Sequence, residues 1–350
     1  MKNQKNQALF LVFFLSMALV FSQNKEQPKI SKLFRTDDVL KLRLNYSNKD
    51  VKKKTNDSTY LKTELFYFSQ KDNDWKSLTT RIRARGNFRL EHCYFAPLKM
   101  RIKKDERKGT VFKGNKKLKV VLPCMKEKEA NDNIIKEYMA YQLYQHVSPY
   151  HFKTRLFEAE LLEQKSGKEK AHQVKGFFIE DLDGVVERFE CNEQKRTVHP
   201  LQQDGLCSTR NAFFQFMIGN TDFSTGYQHN EKLIFVNKTN VPVPYDFDMS
   251  GLVNASYSRV SVVGNDELPI EHVSERLYRG FKRDRIVFET VRKEFLDKKE
   301  EILATVDSLK PLFESKNSFE KAKLYLLDYF KILANDHKFN EQIVAVARTK

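Results

Sequence analysis

Residues 213–253 read FFQFMIGNTDFSTGYQHNEKLIFVNKTNVPVPYDFDMSGLV. The stretch opens inside a helix predicted over 209–218, capped by Ser208 and so densely apolar that it must be buried. Gly219-Asn220-Thr221-Asp222 then leaves the helix as a loop, which holds a carboxylate rigidly and leaves it accessible. Asn230 follows, where it can turn back toward Asp222. A hairpin over 231–236 and 241–245 then delivers Asp246, with Asp248 two residues on. If 246–248 stays extended, both carboxylates share one face. His229 pairs with no nucleophile in the sequence and is expected to be a surface or packing residue.

A carboxylate to handle a hydroxyl proton, hard oxygen ligands for a magnesium ion and cations for phosphate are the three requirements of phosphoryl transfer. Asp222 and Asp246 supply the first two. Taken singly, each has a plainer reading: Asp222 as an Asx-turn residue ending a helix, Asn230 as a turn residue, Asp-Phe-Asp as a cap. It is their order, behind a buried helix, that points to a metal site.

Upstream of this stretch the pattern is of strands. Period-two alternation is predicted over 39–44, 60–68, 81–85, 97–102, 118–122, 154–162 and 173–179, with polar loops at 48–58 and 70–75. One helix, 132–145, interrupts them, with Asp132 as its cap. Downstream the balance is helical, with helices predicted at 270–280, 283–303, 317–335 and 338–348. The boundary between the two regimes falls near 180–185, dividing a β-rich lobe at 23–181 from a mostly helical lobe at 182–350 that carries the 219–252 loop. The fold class is therefore α+β.

The N-terminus has the layout of a secretory signal: Lys2 and Lys5, an apolar run over 8–21, and Ser22 as a small exit residue. Cleavage is expected after Ser22, giving a secreted or periplasmic chain of residues 23–350. The apolar run is short for a bilayer span, which needs about 20 residues, and no later stretch is apolar enough. Formal net charge is +16, and loss of Lys2 and Lys5 leaves +14. A basic surface suits anionic partners, although solubility alone accounts for many such surfaces. An arginine-rich tail, zinc-finger spacing and an RNP motif are all missing, which argues against nucleic acid. Four cysteines, at 93, 124, 191 and 207, allow three disulfide connectivities. Local pairing favours Cys93–Cys124 with Cys191–Cys207, and free thiols are the alternative.

The segment FFQFMIGNTDFSTGYQHN…PVPYDFDMSGLV resembles the atypical kinases of the spore-coat-protein-H type, and more distantly HipA-like and lipid-kinase-like enzymes. Collinear upstream matches are Arg83-Ala84-Arg85-Gly86-Asn87, Pro97-Leu98-Lys99-Met100-Arg101-Ile102, Lys116-Lys117-Leu118-Lys119 and Gly176-Phe177-Phe178-Ile179-Glu180, so the resemblance spans about 80–255. It implies a two-lobed protein-kinase-like fold and an exported, magnesium- or manganese-dependent phosphotransferase using ATP or another nucleotide on a protein or other hydroxyl. Asp222 would be the catalytic residue, and Asn230, Asp246 and Asp248 the metal ligands. Lys99 or Lys117 would be the phosphate lysine, with Lys119 on the same strand face as Lys117, and Glu137 would orient it. No GxGxxG loop is present, so Arg85, Asn87 and Arg89 would have to cover the phosphates. Two other classes stay open: a non-catalytic binding protein of the same fold, and a basic envelope- or polyanion-binding protein whose aspartates are structural.

Overall fold

The computed structural model describes residues 30–86, 88–165, 168–262 and 267–349. The expected signal sequence lies outside them. The N-terminal half holds seven strands: β1 (Leu40–Asn45), β2 (Leu61–Ser69), β3 (Asp74–Ala84), β4 (Leu98–Ile102), β5 (Lys117–Val121), β6 (Thr154–Lys165) and β7 (Lys168–Glu180). They join in the order β1-β2-β3-β4-β5-β7-β6, and the sheet closes on itself. Closure is made by β1 and β6, which pair in parallel from Leu40 opposite Phe157 to Asn45 opposite Leu162. Every other contact in the barrel is antiparallel.

This closed barrel overturns the expected two-lobed kinase-like fold, whose β-rich lobe would be an open sheet. The reason is physical. An open sheet leaves two rows of unpaired backbone groups, and here the long β6–β7 hairpin folds back so that β6 satisfies β1. Strand alternation predicts which residues face the barrel interior. Leu40, Leu42 and Leu44 point inward from β1, and Leu98, Met100, Ile102, Leu118 and Val120 do so from β4 and β5. Their neighbours Lys99, Arg101, Lys117 and Lys119 therefore point out.

The second core belongs to the helices. Helix α1 (Ala130–Val147) crosses outside the barrel and packs against Phe177 and Ile179 of β7. On its other side lies α2 (Gly205–Ile218), with Phe213, Phe214, Phe216, Met217 and Ile218 all buried. Then come α3 (Arg285–Asp297), α4 (Lys299–Ser308) and α5 (Lys316–Ala334). A small sheet of β10 (Thr239–Pro244), β9 (Glu231–Val236) and β8 (Asn192–Glu193) completes this half.

Several local expectations change. Residues 48–54, read as loop, form a helix with Ser47 accepting from the Asp50 amide. Strand β3 starts at Asp74, inside the segment read as loop, because its tip is exposed and polar. Residues 270–280 hold no helix. Helix α2 begins three residues before Ser208, capped by Asp204. Cys93–Cys124 is a disulfide, but Cys191 and Cys207 are free thiols. Burial raises the pKa of both. Among the described residues no helix is long and apolar enough to cross a membrane.

Candidate functional site

Helix α2 stops at Gly219, which adopts a left-handed backbone (φ 62°). A side chain there would run into the Tyr325 hydroxyl, so only glycine fits. Beyond it, Asn220 is buried and holds the turn. Its amide nitrogen donates to the Gln215 side-chain oxygen at 2.9 Å, and its own oxygen accepts from the Asp222 backbone amide at 3.0 Å. Arg279 donates to the carbonyls of Thr221 and Phe223. Backbone bonds from Gly251 to Gly219 and from Leu252 to Ile218 lace the 246–252 segment to the end of α2.

Asp222 is thus presented from a braced loop. The eight-residue gap to Asn230 closes because Ser224 and His229 exchange backbone hydrogen bonds at 3.1 and 3.0 Å. Asn230, in a left-handed conformation, then donates its amide nitrogen to the Asp222 carbonyl at 2.7 Å and to Oδ2 at 2.9 Å. Ser261 donates to Oδ1 at 3.1 Å, and His229 Nε2 lies 3.3 Å from the same oxygen. The bond to Asp222 raises the His229 pKa. Asn230 therefore meets Asp222 directly, as a brace on its carboxylate. Ser261 and Arg279 are functional neighbours the sequence reading did not name. They come from a segment whose approach to Asp222 has no local signature. His229 proves to be a partner of Asp222.

The chain does not stay extended from Asp246 to Asp248. Asp246 has a positive φ of 67°, which ends the extended strand and turns the chain. Its amide donates to the Tyr141 hydroxyl at 2.9 Å, its carboxylate lies 4.0 Å from Arg85, and its side chain stays a quarter exposed. Asp248 is buried, 3.7 Å from Arg89 Nη1, and burial pushes its pKa up to about 6. Asp246 and Asp222 add to that push. Glu137, on α1, is also fully buried, and burial together with Asp248 holds its pKa well above the carboxylate range. A small cleft lined by Met125, Asn133, Ile134 and Tyr257 opens beside it.

Among the described residues, several buried atoms of this cluster have no hydrogen-bond partner: Glu137 Oε1, Asp248 Oδ2, Nε and Nη2 of Arg85, and Nε and Nη1 of Arg89. Among the described residues Arg89 donates only through Nη2, to the Leu122 carbonyl. Buried polar groups are normally satisfied, because each open one costs about 1–3 kcal/mol. Four ionisable side chains thus keep spare donors and acceptors in one place.

The lysines separate. Lys99 lies 3.9 Å from Asp181, and Lys117 lies 2.9 Å from Asp183 and 3.9 Å from Asp181, so both are engaged on the outer barrel wall. Lys119 sits over the Tyr245 ring at 3.7 Å. Burial, and then Arg85, lower its pKa to about 7, while Asp246 acts in the opposite sense. Of the three lysines it is the one placed beside Tyr245, the residue before Asp246. Asn87 lies outside the described residues.

Among the described residues no three His, Cys, Asp or Glu side chains are grouped to hold a metal by themselves. A magnesium ion needs less than that, one or two carboxylates with substrate oxygens completing the shell. The open Asp248 Oδ2 and the part-exposed Asp246 suit that role. Compared with known proteins, the chain matches no family model and none of the curated sequences.

Proposed function

We propose that this cluster transfers a phosphoryl group from a nucleotide to a hydroxyl acceptor. The observation that carries the reading is the open hydrogen-bonding capacity, among the described residues, of the buried Arg89, Glu137 and Asp248 and the part-buried Arg85 beside Asp246. Guanidinium forks match phosphate oxygens and stay charged when buried. Lys119, with its lowered pKa, gains its full charge when an anion arrives. Asp222 is held by donors on both oxygens, so its carboxylate is aimed to orient a hydroxyl and take its proton. A bound magnesium ion would neutralise charge on the phosphates, and Asp246 and Asp248 are the carboxylates to hold it. The resemblance of residues 213–253 to spore-coat-protein-H-type kinases supports the same chemistry. The Cys93–Cys124 disulfide supports export to an oxidising compartment.

The test has two arms. A nucleotide with magnesium should raise the Tm, since a ligand bound only by the native state stabilises it, and Asp248→Asn should abolish that rise. Asp222→Asn should keep the rise and lower transfer by about 10²- to 10⁴-fold. No Tm change with any nucleotide, with or without divalent metal, would sink the reading.

A further inference from the structure

The outer wall of the barrel carries two opposite charge patterns. On the side built by β1, β6 and β7, charges alternate across strands: Lys41 faces Glu158, which faces Lys175, and Arg43 faces Glu160 in a 3.0 Å ion pair. On the side built by β2 to β5 the same register brings like charges together. Lys62 faces Arg81, Arg81 faces Arg101, and Arg101 faces Lys117 in one row. Arg83 faces Lys99, and Lys99 faces Lys119, in the next. Like charges directly opposite one another on a sheet are destabilising, so this face works against folding where the other side works for it.

The carboxylates already seated there indicate what the face takes. Asp57, on a loop and 98% exposed, reaches Arg83 at 2.9 Å. Asp181 and Asp183, two residues apart, bridge Lys99 and Lys117. Arg81 and Arg101 remain exposed, the latter stacked at 4.4 Å on Tyr60. Cations along each strand repeat every second residue: Arg81 and Arg83, Lys99 and Arg101, Lys117 and Lys119. An extended peptide has the same repeat, roughly 6.6–6.8 Å between alternate side chains, and the chain's own Asp181 and Asp183, at the cap and first turn of the helix Leu182–Arg188, show that these cations accept carboxylates.

We infer that the β2–β5 wall is a docking surface for an extended acidic peptide segment of a partner protein, with aspartate or glutamate at alternate positions. The surface needs no catalysis, so it stands or falls separately from the phosphoryl-transfer reading. Lys119 ends its inner row over the ring of Tyr245, the residue before Asp246, at 3.7 Å, which sets a docked segment at the mouth of the site.

Binding of poly-L-glutamate to the purified protein, followed by fluorescence anisotropy at low and high salt, tests this. Binding should weaken steeply with salt. Arg81→Glu with Arg101→Glu should weaken it at least about tenfold with an unchanged or higher Tm, and Asp222→Asn should leave it unchanged. The same charge change at exposed Lys32 and Lys41, made as Lys32→Glu with Lys41→Glu, should have little effect. No binding at low salt, or equal loss in both double variants, would overturn the surface. Tighter binding of inorganic polyphosphate or a sulfated glycan than of poly-L-glutamate would overturn the acidic-peptide assignment.

Discussion

Glu231 illustrates how single side chains set the behaviour of the site. It opens β9 directly after Asn230 and is fully buried. Its Oε2 accepts from Asn211 on α2 at 2.6 Å and from Thr225 in the 222–230 loop at 3.3 Å, so it ties the loop to the helix. Burial raises its pKa from 4.5 to about 8. A raised folded-state pKa means that the native chain holds a proton the unfolded chain has released. The stability this gives is complete below about pH 4.5 and is lost as pH rises toward about 8. Glu231→Gln keeps an acceptor for Asn211 and Thr225 without the ionisation. Thermal melts should therefore show the variant gaining on the wild type between about pH 5 and pH 8. A constant difference across that range would mean that Glu231 is ionised in the folded state. Gly219 sets a second constraint. Gly219→Ala would force a side chain at φ 62° against Tyr325, and a loss of more than about 1 kcal/mol is expected in denaturant melts.

At the scale of elements, the disulfide and the free thiols make separate predictions. Cys93 and Cys124 are 31 residues apart, and cross-linking a loop of that length is worth about 3–4 kcal/mol in the chain-entropy account. Cys93→Ser with Cys124→Ser should cost about that much in denaturant melts. A thiol assay on denatured, unreduced protein should find two reactive groups, Cys191 and Cys207. The elements also mark what could be read in the sequence. The strands were legible because buried and exposed residues alternate, as in Leu40–Asn45. The helix Asn48–Lys54 was not, because Val51 is its one buried residue and it has no apolar face to read. The disulfide pairing 93–124 was legible from nearness in sequence, and the same rule failed for 191–207. Cys191 follows the short helix Leu182–Arg188, whereas Cys207 lies in the first turn of α2. Asp222 and Asp246 could be picked out from their loops. That Arg89 would be buried against Asp248, or that one oxygen of Glu137 would have no hydrogen-bond partner among the described residues, depends on α1 meeting a distant turn. Lys119 differs from Lys117 only in what packs beyond the strand, which alternation cannot tell.

For the whole molecule, the charge distribution and the closed barrel dominate. A net charge of +16, with like charges registered on one wall, leaves repulsion that salt can screen, since the Debye length shortens from about 30 Å at 0.01 M to about 8 Å at 0.15 M. The Tm should rise over that interval in sodium chloride, and less so in Arg81→Glu with Arg101→Glu. A Tm that falls with salt in the wild type would show that attractive pairs such as Arg210–Glu294 outweigh the repulsive wall. Closure could not be read from the sequence, because the seam joins Leu40 to Phe157 across more than a hundred residues and each strand by itself suits an open sheet equally well.

That seam has a consequence during synthesis. As the chain emerges from the ribosome, β1 to β5 are available long before β6 exists to meet β1. Until then β1 and β5 are both bare edges, open to pairing with other chains. The β6–β7 hairpin supplies both missing neighbours at once, since β6 pairs β1 while β7 pairs β5. A nascent fragment that stops before residue 154 should associate with itself, and one that continues past residue 180 should not.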